Sequence, residues 1–319
     1  MAVFTRISRD QLEGFLAAYS LGRVIACTPI TEGAENTNYS LETSHGRYVL
    51  TIFERRTPPE ALPYVVAYMR HLAAAGQPVP EPVSDSQGDA LKELAGKPAL
   101  IVTFLPGESL ADPGPVHCAA AGEAVARLHE AAGDFREHRD NPYGIAAWPG
   151  LAVACQRRAD EEARQLLIPL QEAIDRLTRD WPRELPQGAC HTDLFPDNVF
   201  FAEGRVSGLI DFYFACSELF AYDLAVCITS WAFDSANAFV AERARAMLAG
   251  YEAVRPLQAA ERAALPLLCL GAAVRFSLTR LYDRLHPQPE AMVRPKDPGE
   301  FAGRVALFQR KLTAGERLA

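Results

Sequence analysis

The densest group of chemically capable residues is His191-Thr192-Asp193-Leu194-Phe195-Pro196-Asp197-Asn198, followed by Gly208-Leu209-Ile210-Asp211-Phe212. Two aspartates and an amide at this spacing suit one joint task. A carboxylate beside an attacking hydroxyl can orient it and take its proton, while hard oxygen ligands hold magnesium against phosphate groups. Asp193 has the position of the base. Asn198, five residues on across a tight loop, offers an amide oxygen to the metal. Asp211 comes eighteen residues after Asp193, at the end of the second strand of a hairpin that returns it beside Asn198. Singly, each would read as a turn former; together they point to phosphoryl transfer onto a hydroxyl. His191 reads as a brace for the loop backbone.

The elements that position these residues follow from the local patterning. Residues 39–43 and 48–53 are β-rich around the turn Ser44-His45-Gly46-Arg47, which predicts a hairpin. A helix is expected over 60–75, entered by Thr57-Pro58-Pro59 and left by Gly76-Gln77-Pro78. Residues 99–104 form another short apolar strand, broken by Leu105-Pro106-Gly107. From about residue 115 the pattern turns helical: Ala121, Ala124, Val125, Leu128 and Ala132 share one face. Further helices are expected over 160–179, where Pro169 should kink or split the run, and over 239–251 and 262–285. The segment 198–214 is a β island in this helical half, and 288–300 reads as a surface loop before a last helix.

Composition narrows the class. Hydrophobic residues make up 49% and charged residues 23%, enough apolar content for a folded core and too much for a disordered chain. The net charge of −8 lacks the positive field that draws proteins to nucleic acid or anionic lipid, so neither partner is expected. The amino terminus lacks a basic, then apolar, leader pattern, and no window approaches the roughly 20 apolar residues of a membrane span. Seven scattered cysteines without a Cys-x-x-Cys pair read as reduced, mostly buried thiols of a cytoplasmic protein, and argue against zinc.

The loop His191-x-Asp193-x-x-x-x-Asn198 with the following Ile210-Asp211-Phe212 resembles the catalytic and metal-binding loops of the protein-kinase-like fold. More narrowly, it is similar to the aminoglycoside phosphotransferase and choline kinase superfamily. The resemblance implies an α+β, bilobal fold with a small β-rich N-lobe (residues 1–104, binding nucleotide) and a larger, mainly helical C-lobe (residues 105–319, catalytic and substrate-binding). It implies ATP and Mg2+ as cofactors. Ile30 to Tyr39 looks like the phosphate-covering loop, with Gly33, Asn36 and Asn38 near the phosphates through backbone N–H groups. Phe104 falls at the hinge, where the backbone would meet adenine. Ala126-Arg127-Leu128-His129 resembles a structural helix ending, and Asp223 a residue that ties the catalytic loop down.

One position departs from the pattern. Where kinases of this fold place a lysine on the third strand, the sequence Arg47-Tyr48-Val49-Leu50-Thr51-Ile52-Phe53 has Thr51. Arg47 and Arg55 share its face but lie about 13 Å away along a strand. Glu60 is the weak candidate for the usual partner glutamate. A nucleotide-binding pseudokinase or regulatory module therefore stands as an alternative.

Tyr48 to Glu54, the His191 loop, Ile210-Asp211-Phe212-Tyr213-Phe214-Ala215-Cys216 and Ala273-Val274-Arg275-Phe276 together resemble the bacterial homoserine kinases of this fold, a family that also does without the strand lysine. The resemblance runs over nearly the whole chain and implies L-homoserine as substrate, on the route to threonine. Arg275, Thr279 and Tyr282 fall on one helical face. Arg275 is a candidate partner of the substrate carboxylate through a forked contact, with a structural salt bridge or a solvated position as the alternative; Tyr282 shares its face, and Tyr213 lines the pocket or packs. Kinases of aminoglycosides, choline or methylthioribose are the alternatives, and the sequence leaves the oligomeric state open.

Overall fold

The β-rich start of the chain folds as a five-stranded antiparallel sheet. The computed structural model describes residues 5–31, 36–54, 57–287, 296–316 and 318. Gly33, Arg55 and most of the expected loop at 288–300 lie outside the described residues. The chain divides into two compact units, one ending at Pro106 and the other beginning at Gly107.

In the first unit the elements run α1 (Arg9–Leu16), β1 (Val24–Ile30), β2 (Thr37–Thr43), β3 (Gly46–Ile52), α2 (Leu62–Ala74), β4 (Leu91–Leu94) and β5 (Lys97–Thr103). The strand order is β1-β2-β3-β5-β4. The expected hairpin is β2–β3, with Tyr39 opposite Leu50 and Asn38 opposite Thr51. Alternation along the strands sends Tyr39, Leu41, Leu50, Ile52, Ala99 and Ile101 to one face, where they pack with Leu12 and Leu16 of α1. Asn38 and Thr51 go to the other face. The helix α1 starts on a capping box, Ser8 with Gln11. Neither α1 nor β1 was anticipated.

The second unit holds α3 (Pro115–Ala131), α4 (Trp148–Arg158), α5 (Glu161–Asp180), β6 (Gln187–Cys190), β7 (Val199–Ala202), β8 (Arg205–Leu209), β9 (Cys216–Leu219), α6 (Phe220–Trp231), α7 (Ala241–Glu252), α8 (Ala259–Leu285) and α9 (Pro298–Ala314). All five residues of the anticipated α3 stripe are buried. Helices α3 and α7 approach closely at two glycines. A Cβ on Gly122 would stand 2.1 Å from the Met247 carbonyl oxygen, and one on Gly250 would stand 2.0 Å from that of Ala119.

Two expectations are corrected here. Pro169 does not split its helix: α5 runs unbroken from Asp160, whose carboxylate caps the Ala163 N–H. Packing against α4, α8 and α9 holds the helix together despite the lost hydrogen bond. An apolar stretch of membrane-spanning length does exist, in α8. Its most apolar window is 83% buried inside the protein, as in a central core helix. Charged residues within α8 hid it from the sequence reading.

Candidate active site

The β7–β8 ladder brings the acidic loop residues together. Val199 pairs with Leu209, and the Ile210 N–H donates to the Asn198 carbonyl at 3.0 Å. Asn198 and Asp211 therefore sit at the same end of this hairpin. Asn198 closes a single 3-10 turn (Pro196–Asn198), and its Nδ2 donates to the Asp193 carbonyl at 2.8 Å. That bond fixes which way the amide points. The nitrogen is committed to the loop, and Oδ1 is the atom left to accept from a cation. With two carboxylates nearby in the chain, this donor set is the hard-oxygen kind that suits Mg2+.

His191 and Thr192 brace the loop from beneath. The Asp193 N–H donates to His191 Nδ1 at 3.2 Å, so Nε2 carries the proton and donates to the Ile210 carbonyl at 2.9 Å. Complete burial pushes the His191 pKa below its ordinary value, in keeping with this neutral tautomer. Thr192 and Asp211 are both non-glycine residues at positive φ, 60° and 68°. Thr192 is held on three sides. Its N–H donates to Asp223 at 2.7 Å, its hydroxyl to the Phe214 carbonyl at 3.0 Å, and its own carbonyl accepts from Arg275 at 2.6 Å.

Asp223, on α6, is 1% exposed. Its Oδ1 accepts from the Thr192 N–H, and its Oδ2 from the His191 N–H at 3.1 Å and from His129 Nε2 at 2.9 Å. Burial works against its charge, but the hydrogen bonds from His129 and the Thr192 N–H hold its carboxyl below the ordinary aspartate range. The chain of bonds continues outward. The Tyr251 hydroxyl donates to His129 Nδ1 at 2.8 Å and accepts from Arg255, which also reaches Glu261. His129, Cys190 and Asp223 place three ligand-type atoms within 4.8 Å of one another. Those atoms are committed to hydrogen bonds, and burial pushes the Cys190 thiol far above its ordinary pKa. The cluster is therefore a brace.

The residues expected to contact substrate differ in exposure: Arg275 is buried, Tyr213 half-buried and Tyr282 exposed. Arg275 is 2% exposed, and its Nη1 donates to the Thr192 carbonyl, with the guanidinium among the rings of Tyr143, Phe214 and Phe276. The contact seen for Arg275 is thus with the loop backbone. Tyr282, two turns further along α8, is 36% exposed and stacks on His286 at 4.0 Å. Tyr213 lies in the turn just after Asp211, half-buried.

In the first unit, Thr51 is 1% exposed and its hydroxyl donates to Asn38 Oδ1 at 2.7 Å. Asn36 is buried, and its side-chain oxygen accepts from the Glu54 N–H at 3.2 Å. Asn38 and Thr51 are thus paired, and Asn36 is tied to the Glu54 backbone. Phe104 lies at the far end of β3, beneath the guanidinium of Arg47, whose Cζ is 3.7 Å from the ring centroid. Arg47 is thereby directed away from Thr51. Lys97, on β5, pairs with Glu54, and Glu60 is exposed on a 3-10 turn.

Three residues escaped the sequence reading: Arg139, Asn141 and Glu218. Asn141 Nδ2 donates to Glu218 at 2.8 Å, and burial raises the Glu218 pKa. The available signal was Asn141-Pro142, a turn dipeptide that carries no hint of what it faces.

The sequence profile described as the phosphotransferase enzyme family matches residues 26–257. The chain is 50% identical over 309 residues to a homoserine kinase of Rhodospirillum rubrum, covering 97% of this chain and 96% of that protein. It is 48% identical over 310 residues to a homoserine kinase of Methylobacterium radiotolerans, covering 97% of each. Among solved structures it is similar to an amicoumacin kinase in complex with AMP-PNP and Ca2+, with TM-score 0.70, 17% identity and coverage of 98% and 95%. It is also similar to a choline kinase from Cryptosporidium parvum, with TM-score 0.67, 15% identity and coverage of 96% of each. These two structures share the bilobal, protein-kinase-like α+β fold.

Proposed function

Since the chain belongs to the phosphotransferase enzyme family, we propose that it transfers the terminal phosphoryl group of ATP to the hydroxyl of L-homoserine, releasing ADP and O-phospho-L-homoserine on the route to threonine. The observation that carries this is the near-full-length identity of 45–50% to homoserine kinases. The loop geometry supports it: a half-buried aspartate, an amide oxygen of fixed direction and a second aspartate converge on one end of a hairpin.

In this reading Asp193 orients the substrate hydroxyl and takes its proton late in the transfer. Its backbone is locked by His191 and Asn198, so its carboxylate is presented without reorganisation. Asn198 and Asp211 would hold Mg2+. When bound, the ion neutralises charge on the phosphates and fixes their position. Asn36, Asn38, Thr51 and Phe104 are the candidate nucleotide contacts of the first unit, and Tyr213 and Tyr282 the candidate substrate contacts of the second.

A second reading, a nucleotide-binding module without turnover, is favoured by Thr51 standing where kinases of this fold carry a strand lysine, its hydroxyl bonded to Asn38. ADP release with ATP and Mg2+, assayed against L-homoserine, choline, kanamycin and methylthioribose with product mass confirmed, separates the readings. Turnover on homoserine alone is expected. Magnesium-dependent ATP binding without product on any acceptor would favour the second.

A further inference from the structure

The turn that follows Asp211 is gripped at three successive carbonyls. Residues 212–214 form one 3-10 turn, closed by the Ala215 N–H donating to the Phe212 carbonyl at 2.9 Å. Thr192 Oγ1 donates to the Phe214 carbonyl. The carbonyls on either side of it, those of Tyr213 and Ala215, both accept from one nitrogen, Nη1 of Arg139, at 3.0 and 2.7 Å. Arg139 itself is fixed alongside β9. Its carbonyl accepts from the Ser217 N–H at 2.7 Å, and its N–H donates to Ser217 Oγ at 3.3 Å. On the other flank of Asp211, His191 holds the Ile210 carbonyl.

Asp211 sits at φ 68°, ψ 57°, a left-handed conformation that costs an aspartate more than an ordinary one. The direction of its carboxylate depends on that backbone geometry. Such a conformation persists only when its surroundings over-determine it. A neutral donor could cap one carbonyl. A guanidinium nitrogen with two N–H groups caps two converging carbonyls at once, and its charge strengthens both bonds.

We propose that Arg139 is a positioning residue for the Asp211 carboxylate, clamping the turn behind it so that Asp211 meets its divalent cation in a fixed direction. This rests on the reading of Asp211 as a metal ligand. Outer residues that orient a ligand are worth roughly 10–100-fold in metal affinity.

The test is Mn2+ binding, followed by electron paramagnetic resonance in the presence of a non-hydrolysable ATP analogue, alongside thermal midpoints. Arg139→Met should weaken Mn2+ binding about tenfold, and Arg139→Lys should recover part of the loss. A fall in thermal midpoint with Mn2+ affinity within twofold of wild type would reduce Arg139 to a fold stabiliser and overturn the proposal. If Arg139→Met does not fold, Arg139→Gln decides by the same criterion. Asp211→Ala is the control: should it too bind Mn2+ normally, the metal-site reading itself fails. Loss in Asp211→Ala with none in the Arg139 variants overturns only the clamp.

Discussion

Asp193 and Asp211 on one side, and Asp223 on the other, are aspartates of one stretch of 31 residues in contrasting surroundings. Asp223 is sealed inside α6, and both its oxygens are consumed by the loop backbone and His129. Asp193 and Asp211 are half-buried on irregular backbone, Asp211 in the left-handed region. The buried carboxylate spends its charge holding the loop.

Four substitutions can break or sharpen that contrast. Asp193→Asn should lower kcat by roughly 10²–10⁴-fold while KM for ATP stays within a few-fold; near-normal turnover would remove Asp193 as the base. Asp223→Ala should act on the fold, costing about 3–5 kcal/mol in urea unfolding, because it strands buried donors. A variant of normal stability would mean that the loop holds itself. Asp211→Ala should weaken metal-dependent nucleotide binding by about tenfold or more with little loss of stability, the reverse of Asp223→Ala. Calorimetric titration with and without Mg2+ reads it directly.

The smallest effect concerns pH. His191 is buried neutral with a lowered pKa, so the unfolded chain binds more protons once the pH falls below the ordinary histidine value of about 6.5. Stability should decline below that pH with a slope of at most about 1.4 kcal/mol per unit from this group. His191→Asn should flatten the slope. An unchanged slope would assign the acid sensitivity elsewhere.

The loop was legible in the sequence because its three ligand-type residues are local. Asn198 and Asp211 flank one hairpin, residues 199–209, and Asp193 lies five residues before Asn198, so the spacing is local. The strands around Leu41, Leu50 and Ile101 were legible through alternation, and α3 through its stripe. What the sequence hid is long-range. Arg275 looked available because its helical face was known and its burial was not. Arg139 meets Tyr213 and Ala215 from more than seventy residues away, and no periodicity announces such a contact. Thr51 is intermediate: the missing lysine was evident, but the bond from the Thr51 hydroxyl to Asn38 Oδ1 required the β2–β3 register. Pro169 was overruled by packing that a local rule does not include.

The paired glycines of α3 and α7 have a genetic consequence. Gly250→Ala adds a single methyl group against the Ala119 carbonyl, far from the His191 loop in sequence. Pushing α3 aside would disturb His129 near its end and, through Asp223, the loop above. Such an allele should be temperature-sensitive. A cell relying on this gene would grow when cool and fail when warm, and the enzyme made at low temperature would have normal kinetics.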